Sequence, residues 1–577
     1  MAAEFQVIGK NPRALFTLKL HRGEGMLLLG MNWKTAAPPR DFSGFAIEYR
    51  EPGGDRFFAL KNRIAFSDEH GSVTSATLSS RLSPFQKFRW VHFPRNAEMP
   101  GEFVYRVTPV FMNDNGELSY GEAQEASIEL RRETFPGLLN VAFTRGFVSS
   151  QAFVDRYGAD TLPTLLPENA DEGLRFRPTH AEAQEALAWM GFEARKAILG
   201  VLDEAVADPD AQVRVVAYDL CEPEVVSRLK KLKGRLKIII DDSDHHGMAD
   251  SAESAAEALL GKSAGKANVK RHHMNNLQHN KTIVVDGPLV QAVVCGSTNF
   301  TWRGFFVQAN NAVVLRGSGA VGPFLGAFDN YWRYDSVKEF GKTESSEWMD
   351  LGLEGIDARV AFSPHDKKRN ALLKTIAEDI GTTTSSLLYS LAFLYQTPGA
   401  VHDAIAGVTL RPDTFVYGMS DKKVKGRLSG IDLQLPDGKV APVRPSALTR
   451  NVPEPFRSEP TGLSGGVGNR MHHKFLVIDF DKPSARVYLG SYNFSEPADT
   501  RNGENLLLIR DRRIAVSYVV EAIRLFDHYH FRVCQEEAKR EKRQLNLKRP
   551  PRAQGEEPWW AEDYRDGRKI RDRELFA

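Results

Sequence analysis

His279-Asn280-Lys281-Thr282-Ile283-Val284-Val285-Asp286 and His472-His473-Lys474-Phe475-Leu476-Val477-Ile478-Asp479 are two versions of one pattern, H-x-K-x-x-x-x-D, in a chain of 577 residues. One such match arises by chance at a frequency on the order of 0.05 in a chain this long. Two matches, each trailed by further shared elements at nearly equal distance, do not. Gly296-Ser297-Thr298-Asn299-Phe300 begins 17 residues after His279, and Gly490-Ser491-Tyr492-Asn493-Phe494 begins 18 residues after His472. Beyond them, Gln308-Ala309-Asn310-Asn311 aligns with Asn502-Gly503-Glu504-Asn505, and each opens an apolar run.

Alternate residues of a strand share a face. The spacing therefore lets His279 and Lys281 look into one cleft and His472 and Lys474 do the same, while the apolar residues that follow anchor each strand. Upstream of the first motif the sequence alternates helical and strand patterns: 180–206 helical, 212–220 strand, 222–234 helical, 236–242 strand. The same order returns at 366–380, 385–394, 400–408 and 414–418. A repeat of this size predicts two similar α/β lobes facing one another across a pseudo-two-fold. The strands are apolar enough for burial on both faces. We place the first lobe at 140–338, a connector at 339–355, the second lobe at 356–545 and a C-terminal tail at 546–577.

Residues 1–132 read differently. Short apolar or alternating runs such as Met26–Trp33 and Phe103–Phe111 are separated by Pro/Gly/Asn/Asp turns, which predicts an antiparallel β-sandwich. Trp33 on an early strand and Tyr105 on a late one resemble the core tryptophan and corner tyrosine of fibronectin type III domains. The segment reads equally as a binding module or as a structural appendage.

Over residues 140–545 the paired motifs resemble the phospholipase D superfamily. The resemblance implies a phosphodiesterase that needs no metal and no cofactor, and that works in two displacements through a covalent phosphohistidine. It makes His279 the nucleophile and His472 the acid and base. Lys281 and Lys474, with Ser297, Asn299, Ser491, Asn493 and Glu504 nearby, would bind the phosphate and orient the histidines. Asp286 and Asp479 would hold the opposite lobe or orient a histidine, favouring its charged form. Fixed ammonium and amide donors suit the charge that spreads over phosphoryl oxygens in the transition state. Glu504 is acidic where the aligned Asn310 is neutral, so the two histidines should differ in basicity. Both motifs lie in one chain, so the site requires no dimer. The substrate is left open between a phospholipid, which leads, and DNA or RNA cut by a metal-independent nuclease. A third reading is a catalytically weak protein recruited to a partner through the sandwich.

Other features have plainer readings. Asp241-Asp242-Ser243-Asp244-His245-His246 is read as a polar loop capping a helix ahead of a metal cluster. Arg271, His272 and His273 are read as phosphate contacts or a solvated loop, and His473, facing away from His472, as structural. The Pro- and Gly-rich stretch 431–469 is a lid or a surface excursion. The basic run Lys539, Arg540, Lys542, Arg543, Lys548, Arg549 and Arg552 is a charged helix end or a track for an anionic surface. The net charge of +2 names no polyanionic partner. Three scattered cysteines exclude a disulfide scaffold and a zinc ribbon. The N-terminus lacks a signal-peptide pattern and no run of about 18 apolar residues occurs, so a cytoplasmic protein without a transmembrane segment is expected.

Overall fold

The structure, a computed structural model, describes residues 4–67, 78–130, 133–145, 153, 156–158, 161–167, 170–392, 394, 399–423, 429–434, 440–443, 460–461, 466–467, 471–542 and 544–577. The chain forms two compact units. The described part of the first comes from residues up to 130 together with 516–577, and that of the second from residues within 133–434 and 440–515.

The first unit holds two antiparallel sheets. Strands β1 (Gln6–Ile8), β2 (Phe16–Arg22), β3 (Leu27–Trp33) and β6 (Arg89–His92) form one, in the order β1-β2-β3-β6. Strands β4 (Phe42–Arg50), β5 (Phe58–Ala59), β7 (Glu102–Met112), β8 (Leu118–Tyr120) and β9 (Gln124–Glu129) form the other, with β7 paired to β4, β8 and β9. Alternating apolar residues of both sheets, among them Phe16, Leu29, Phe45 and Phe103, make one core. This arrangement fits the expected sandwich. Trp33 and Tyr105 are both buried in that core, and the Tyr105 hydroxyl is 2.9 Å from His92 Nδ1.

The C-terminal segment departs from the expected division at 545. Trp559, Trp560 and Tyr564 pack on the sandwich core, and the Phe576 carbonyl lies 2.7 Å from His21 Nε2. The tail is thus an integral part of the first unit. Its basic residues are partly engaged there: Arg549 donates to the Ser67 carbonyl and covers the Phe66 ring. Arg543 lies outside the described residues.

In the second unit, strands β10 (Leu139–Phe143), β11 (Gln212–Ala217), β12 (Leu236–Ile240), β13 (Val269–Arg271), β14 (Lys281–Asp286), β15 (Gln291–Gly296) and β16 (Asn311–Arg316) make a sheet in the order β10-β16-β15-β14-β11-β12-β13. Helices Ala183–Ala207 and Pro223–Leu232 put Ile198, Leu202 and Leu229 against its Val213, Ile238 and Ile283. A second sheet contains β17 (Met349–Asp350), β18 (Asp357–Ser363), β19 (Ser386–Leu391), β20 (Phe415–Lys423), β21 (Ser429–Gln434) and β22 (Val440–Val443). After the two-stranded ribbon of β23 (Pro460–Thr461) and β24 (Gly466–Val467), it is completed by β25 (Lys474–Ile478), β26 (Arg486–Gly490) and β27 (Glu504–Arg510).

The two sheets share their central order and polarity. β16-β15-β14-β11-β12 corresponds to β27-β26-β25-β19-β20, with antiparallel pairing throughout except β11–β12 and β19–β20, which are parallel. Every residue of β25 and the first five of β14 are buried, as the apolar runs require. The expected connector is structured, since β17 pairs with β18. The stretch 431–469 includes β22 and the β23–β24 ribbon, while 444–459 lies outside the described residues.

Candidate active site

Each histidine sits just before its strand. β14 starts at Lys281 and β25 at Lys474, so the alternation that sequence spacing suggested begins two residues late. The reason is that the preceding backbone pairs with the other sheet's elements: Gln278 bridges Gly503, and Met471 bridges Ala309, both in parallel sense. These bridges set each histidine beside the residue that follows its bridge partner. His279 Nδ1 lies 2.6 Å from Glu504 Oε2. His472 Nδ1 lies 2.9 Å from Asn310 Oδ1 and 3.1 Å from the Ser297 carbonyl. Every one of these partners is an acceptor, so Nδ1 carries the proton in both rings and Nε2 is left for chemistry. The two ring centroids are 6.4 Å apart.

Lys281 Nζ donates to the His279 carbonyl at 2.5 Å and stands 4.7 Å from the centre of the Tyr218 ring. Lys474 Nζ donates to the His472 carbonyl at 2.8 Å. Both lysines and both histidines are buried. Burial lowers the pKa of His279 below the ordinary 6.5; Glu504 opposes the fall and Lys281 adds to it. His472 is held well below 6.5, first by burial and then by the positive charges of Lys474, Lys281, His279 and Arg303. Burial brings Lys281 down to about 8 against the pull of Glu504, Asp219 and Asp241. The pocket therefore collects two ammonium groups and two imidazoles beside amide donors, a setting that suits an anion.

The G-S-x-N-F elements follow from backbone demands. Gly296 and Gly490 end β15 and β26 at φ +126° and +141°, where side chains are strained. A Cβ there would meet the Asn311 carbonyl at 2.7 Å and the Asn505 carbonyl at 2.3 Å. The serines after them are fully buried. Ser297 Oγ donates to Asn310 Oδ1 at 2.9 Å, while Ser491 Oγ accepts from the Asn505 backbone at 3.0 Å. In these bonds Ser297 holds the partner of His472 and Ser491 fixes the turn after β26. Asn299 Nδ2 donates to Asp219 Oδ2. Asn493 is half-buried, with its Oδ1 enclosed and unbonded among the described residues.

Asp286 and Asp479 are elsewhere. Asp286 closes the far end of β14, where Gln291 donates to it at 2.9 Å. Seven residues of extended chain from His279 correspond to about 20 Å. Asp479, at φ +52°, accepts backbone N–H groups of Thr384, Ser385 and Ser386 at 2.7–3.2 Å. It pins the entry to β19 within its own sheet. Neither aspartate orients a histidine, and that task falls to Glu504 and Asn310. His473 packs between Phe143 and Phe475, as its outward register required.

The Asp241–His246 loop is more than a cap. His246 lies 2.8 Å from both Asp219 Oδ1 and Asp241 Oδ2. Asp241 Oδ1 accepts the Gln278 backbone N–H at 2.6 Å, immediately before His279. Arg271 donates to the carbonyls of Asp241 and His246, and His273 pairs with Asp242 at 2.7 Å, so this region supports the site's frame. Among the described residues, Asp219, His246 and Glu253 are close enough to share a metal ion. The bonds His246 already makes satisfy both of its ring nitrogens.

Parts of the chain are similar to known proteins. Residues 202–332 and 448–526 match the family model described as cardiolipin synthase, PLD-like domain. The chain is 34% identical over 107 residues to a phospholipase D of Rickettsia prowazekii (strain Madrid E), covering 18% of this chain and 49% of that protein. It is 31% identical over 106 residues to a phospholipase D of Rickettsia typhi (strain ATCC VR-144 / Wilmington), covering 18% and 50%. The chain thus spans about half the length of these curated relatives. Among solved structures, the phospholipase D family member Nuc from Salmonella typhimurium is 28% identical, with 24% of this chain and 87% of that chain covered and a TM-score of 0.20. Phosphatidylserine synthase of Haemophilus influenzae Rd KW20 is 12% identical, with 67% and 93% covered and a TM-score of 0.39. No helix among the described residues is long and apolar enough to cross a membrane.

Proposed function

We propose that this chain, which carries a phospholipase D-like domain, cleaves or transfers at a phosphodiester through a covalent phosphohistidine, with a phospholipid as the leading substrate. The observation that carries the reading is the pair of buried imidazoles, each with Nδ1 anchored from the other sheet and Nε2 free for reaction. The matching strand order of the two sheets and the paired bridges Gln278–Gly503 and Ala309–Met471 support a pseudo-two-fold relation between two lobes.

In the first displacement Nε2 of neutral His279 attacks phosphorus and forms a P–N bond. The P–O bond to the leaving alcohol breaks, and His472, which must enter this step as the imidazolium with protons on both nitrogens, gives its Nε2 proton to that oxygen and becomes neutral. The imidazole of His279 becomes cationic, and the Glu504 carboxylate on Nδ1 stabilises it. In the second step His472 takes a proton from water, the oxygen attacks phosphorus, and the P–N bond returns its electron pair to His279. An alcohol in place of water gives transfer. Lys281, Lys474, Asn299 and Asn493 are the candidates to hold the phosphoryl oxygens. The asymmetry favours His279 as nucleophile, because a carboxylate stabilises the cationic phosphohistidine better than the Asn310 amide does. The sandwich is read as a fibronectin type III-like accessory module, supported by the buried Trp33 and Tyr105.

The test is an assay in excess EDTA on mixed phospholipid vesicles and, separately, on single- and double-stranded DNA and RNA. Headgroup release that vanishes in His279→Ala is the expected result. Strand cleavage with the same dependence replaces the lipid by a nucleic acid, and activity that survives in His279→Ala removes the phosphohistidine mechanism. An acid-labile phosphate on His279, detected by mass spectrometry after rapid quenching, is the direct signature.

A further inference from the structure

We infer that His246 is a positioning residue that braces both Asn299 and His279 through Asp219 and Asp241. Its ring lies between two carboxylates, and each carboxylate spends its second oxygen on the active site. Asp219 takes the His246 Nε2 side at 2.8 Å with one oxygen and accepts from Asn299 Nδ2 with the other. Asp241 takes Nδ1 at 2.8 Å with one oxygen and the Gln278 N–H at 2.6 Å with the other. Gln278 both precedes His279 and bridges Gly503, the neighbour of Glu504, so its backbone sets the spacing between His279 and its carboxylate. The ring of Tyr218 fills the space between the two histidines, 4.7 Å from each.

Both nitrogens of His246 face carboxylates, so the ring donates twice and is cationic. Burial works against that charge, but the hydrogen bonds from Asp219 and Asp241 and the nearby Glu253 outweigh it, raising the pKa to about 11. The His246 carbonyl accepts from the Arg271 guanidinium and from Ser251 Oγ at 2.8 Å, and the Asp241 oxygen on Nδ1 also accepts from the Ser243 backbone N–H at 2.9 Å and from the Ser243 hydroxyl. The Asp241 carboxylate is fully buried. Without His246 two carboxylates would face each other with no cation between them, and only Ser243 would still hold the Asp241 oxygen, so the grip of Asp219 on Asn299 and of Asp241 on Gln278 would loosen.

The kinetic test rests on the phosphodiesterase reading; a spectroscopic one does not. In the full chain, His246→Gln, Asp219→Asn and the double variant are compared on bis(4-nitrophenyl) phosphate in EDTA. Each single change should lower kcat at least tenfold, and the double should be no worse than the poorer single, because the pair acts as one unit. Additive losses, or a wild-type kcat in His246→Gln, overturn the brace. Independently, the protein labelled with 15N-histidine should show one ring, identified by its loss in His246→Gln, that stays doubly protonated at pH 9, and the His279 signals should move in that variant. A neutral His246 ring at pH 7 overturns the proposal, as does a stoichiometric metal in the purified protein that is absent from His246→Gln. If the wild type turns over no phosphodiester, the functional reading falls and the spectra still judge the brace.

Discussion

At the residue scale the two histidines differ in what stands behind Nδ1, and that difference is open to measurement. Replacing Glu504 by Gln keeps an acceptor yet removes the charge, so formation of the phosphohistidine should slow by about 10²-fold or more, read as kcat on a chromogenic diester. Asn310→Asp does the opposite for His472. Its pKa now lies well below 6.5, so in the free protein it loses its proton early as pH rises; a carboxylate on Nδ1 should raise it. The alkaline limb of kcat/KM is therefore expected to move upward in Asn310→Asp. Lys281, at about 8, adds a second loss of positive charge above that pH, and Lys281→Arg should abolish that component whatever its kcat. His246 carries a linkage of its own. Its folded pKa of about 11 exceeds the ordinary 6.5, so the stability it contributes is complete below about 6.5 and is lost as pH rises towards 11. Melting temperatures of wild type and His246→Gln should accordingly converge on going from pH 6 to pH 10. Of these residues, the repeat made His279, His472, Lys281 and Lys474 legible, because two aligned copies mark what the chemistry needs twice, and Glu504 stood out because it breaks the match with Asn310. The pairing of Glu504 with the other copy's histidine was not legible, and Asp286 and Asp479 were misread, since a sequence motif does not say which end of a strand meets the cleft. Asp219 and His246 come from separate loops that only the fold joins.

At the scale of elements, the glycines that end β15 and β26 govern how the loops after them turn. Gly296→Ala would place a methyl group 2.7 Å from the Asn311 carbonyl at φ +126°. It should cost about 1–3 kcal/mol of stability. The displaced Ser297 and Asn310 should also lower kcat, so a variant that melts earlier with unchanged kcat would contradict this account. The alternation of helix and strand signals placed the central strands of both sheets well, because fully buried strands read as continuous apolar runs. The strands β21 to β24 were not legible, as they lie in a Pro- and Gly-rich stretch whose composition resembles loop.

For the whole molecule, the division into units reassigns the C-terminal residues. Residues 133–515 contain every group of the candidate site, and Arg513 returns to donate to the Thr134 carbonyl, 3.3 Å away, so this unit's entry and exit are adjacent. Produced alone, 133–515 is expected to retain the EDTA-resistant activity of the full chain. Residues 1–132 alone should melt at a lower temperature than the same residues fused to 516–577, because Trp559, Trp560 and Tyr564 pack on their core. The sequence could not announce this union, since its partners lie about 400 residues apart and neither half carries a motif. The split has a consequence during synthesis. The first sheets leave the ribosome before residues 133–515 are made, and at about 5–20 residues per second the missing packing elements follow roughly 20–80 seconds later. Through that interval the nascent chain carries an apolar surface that no later part of itself yet covers, and it is there that a chaperone would have to hold it.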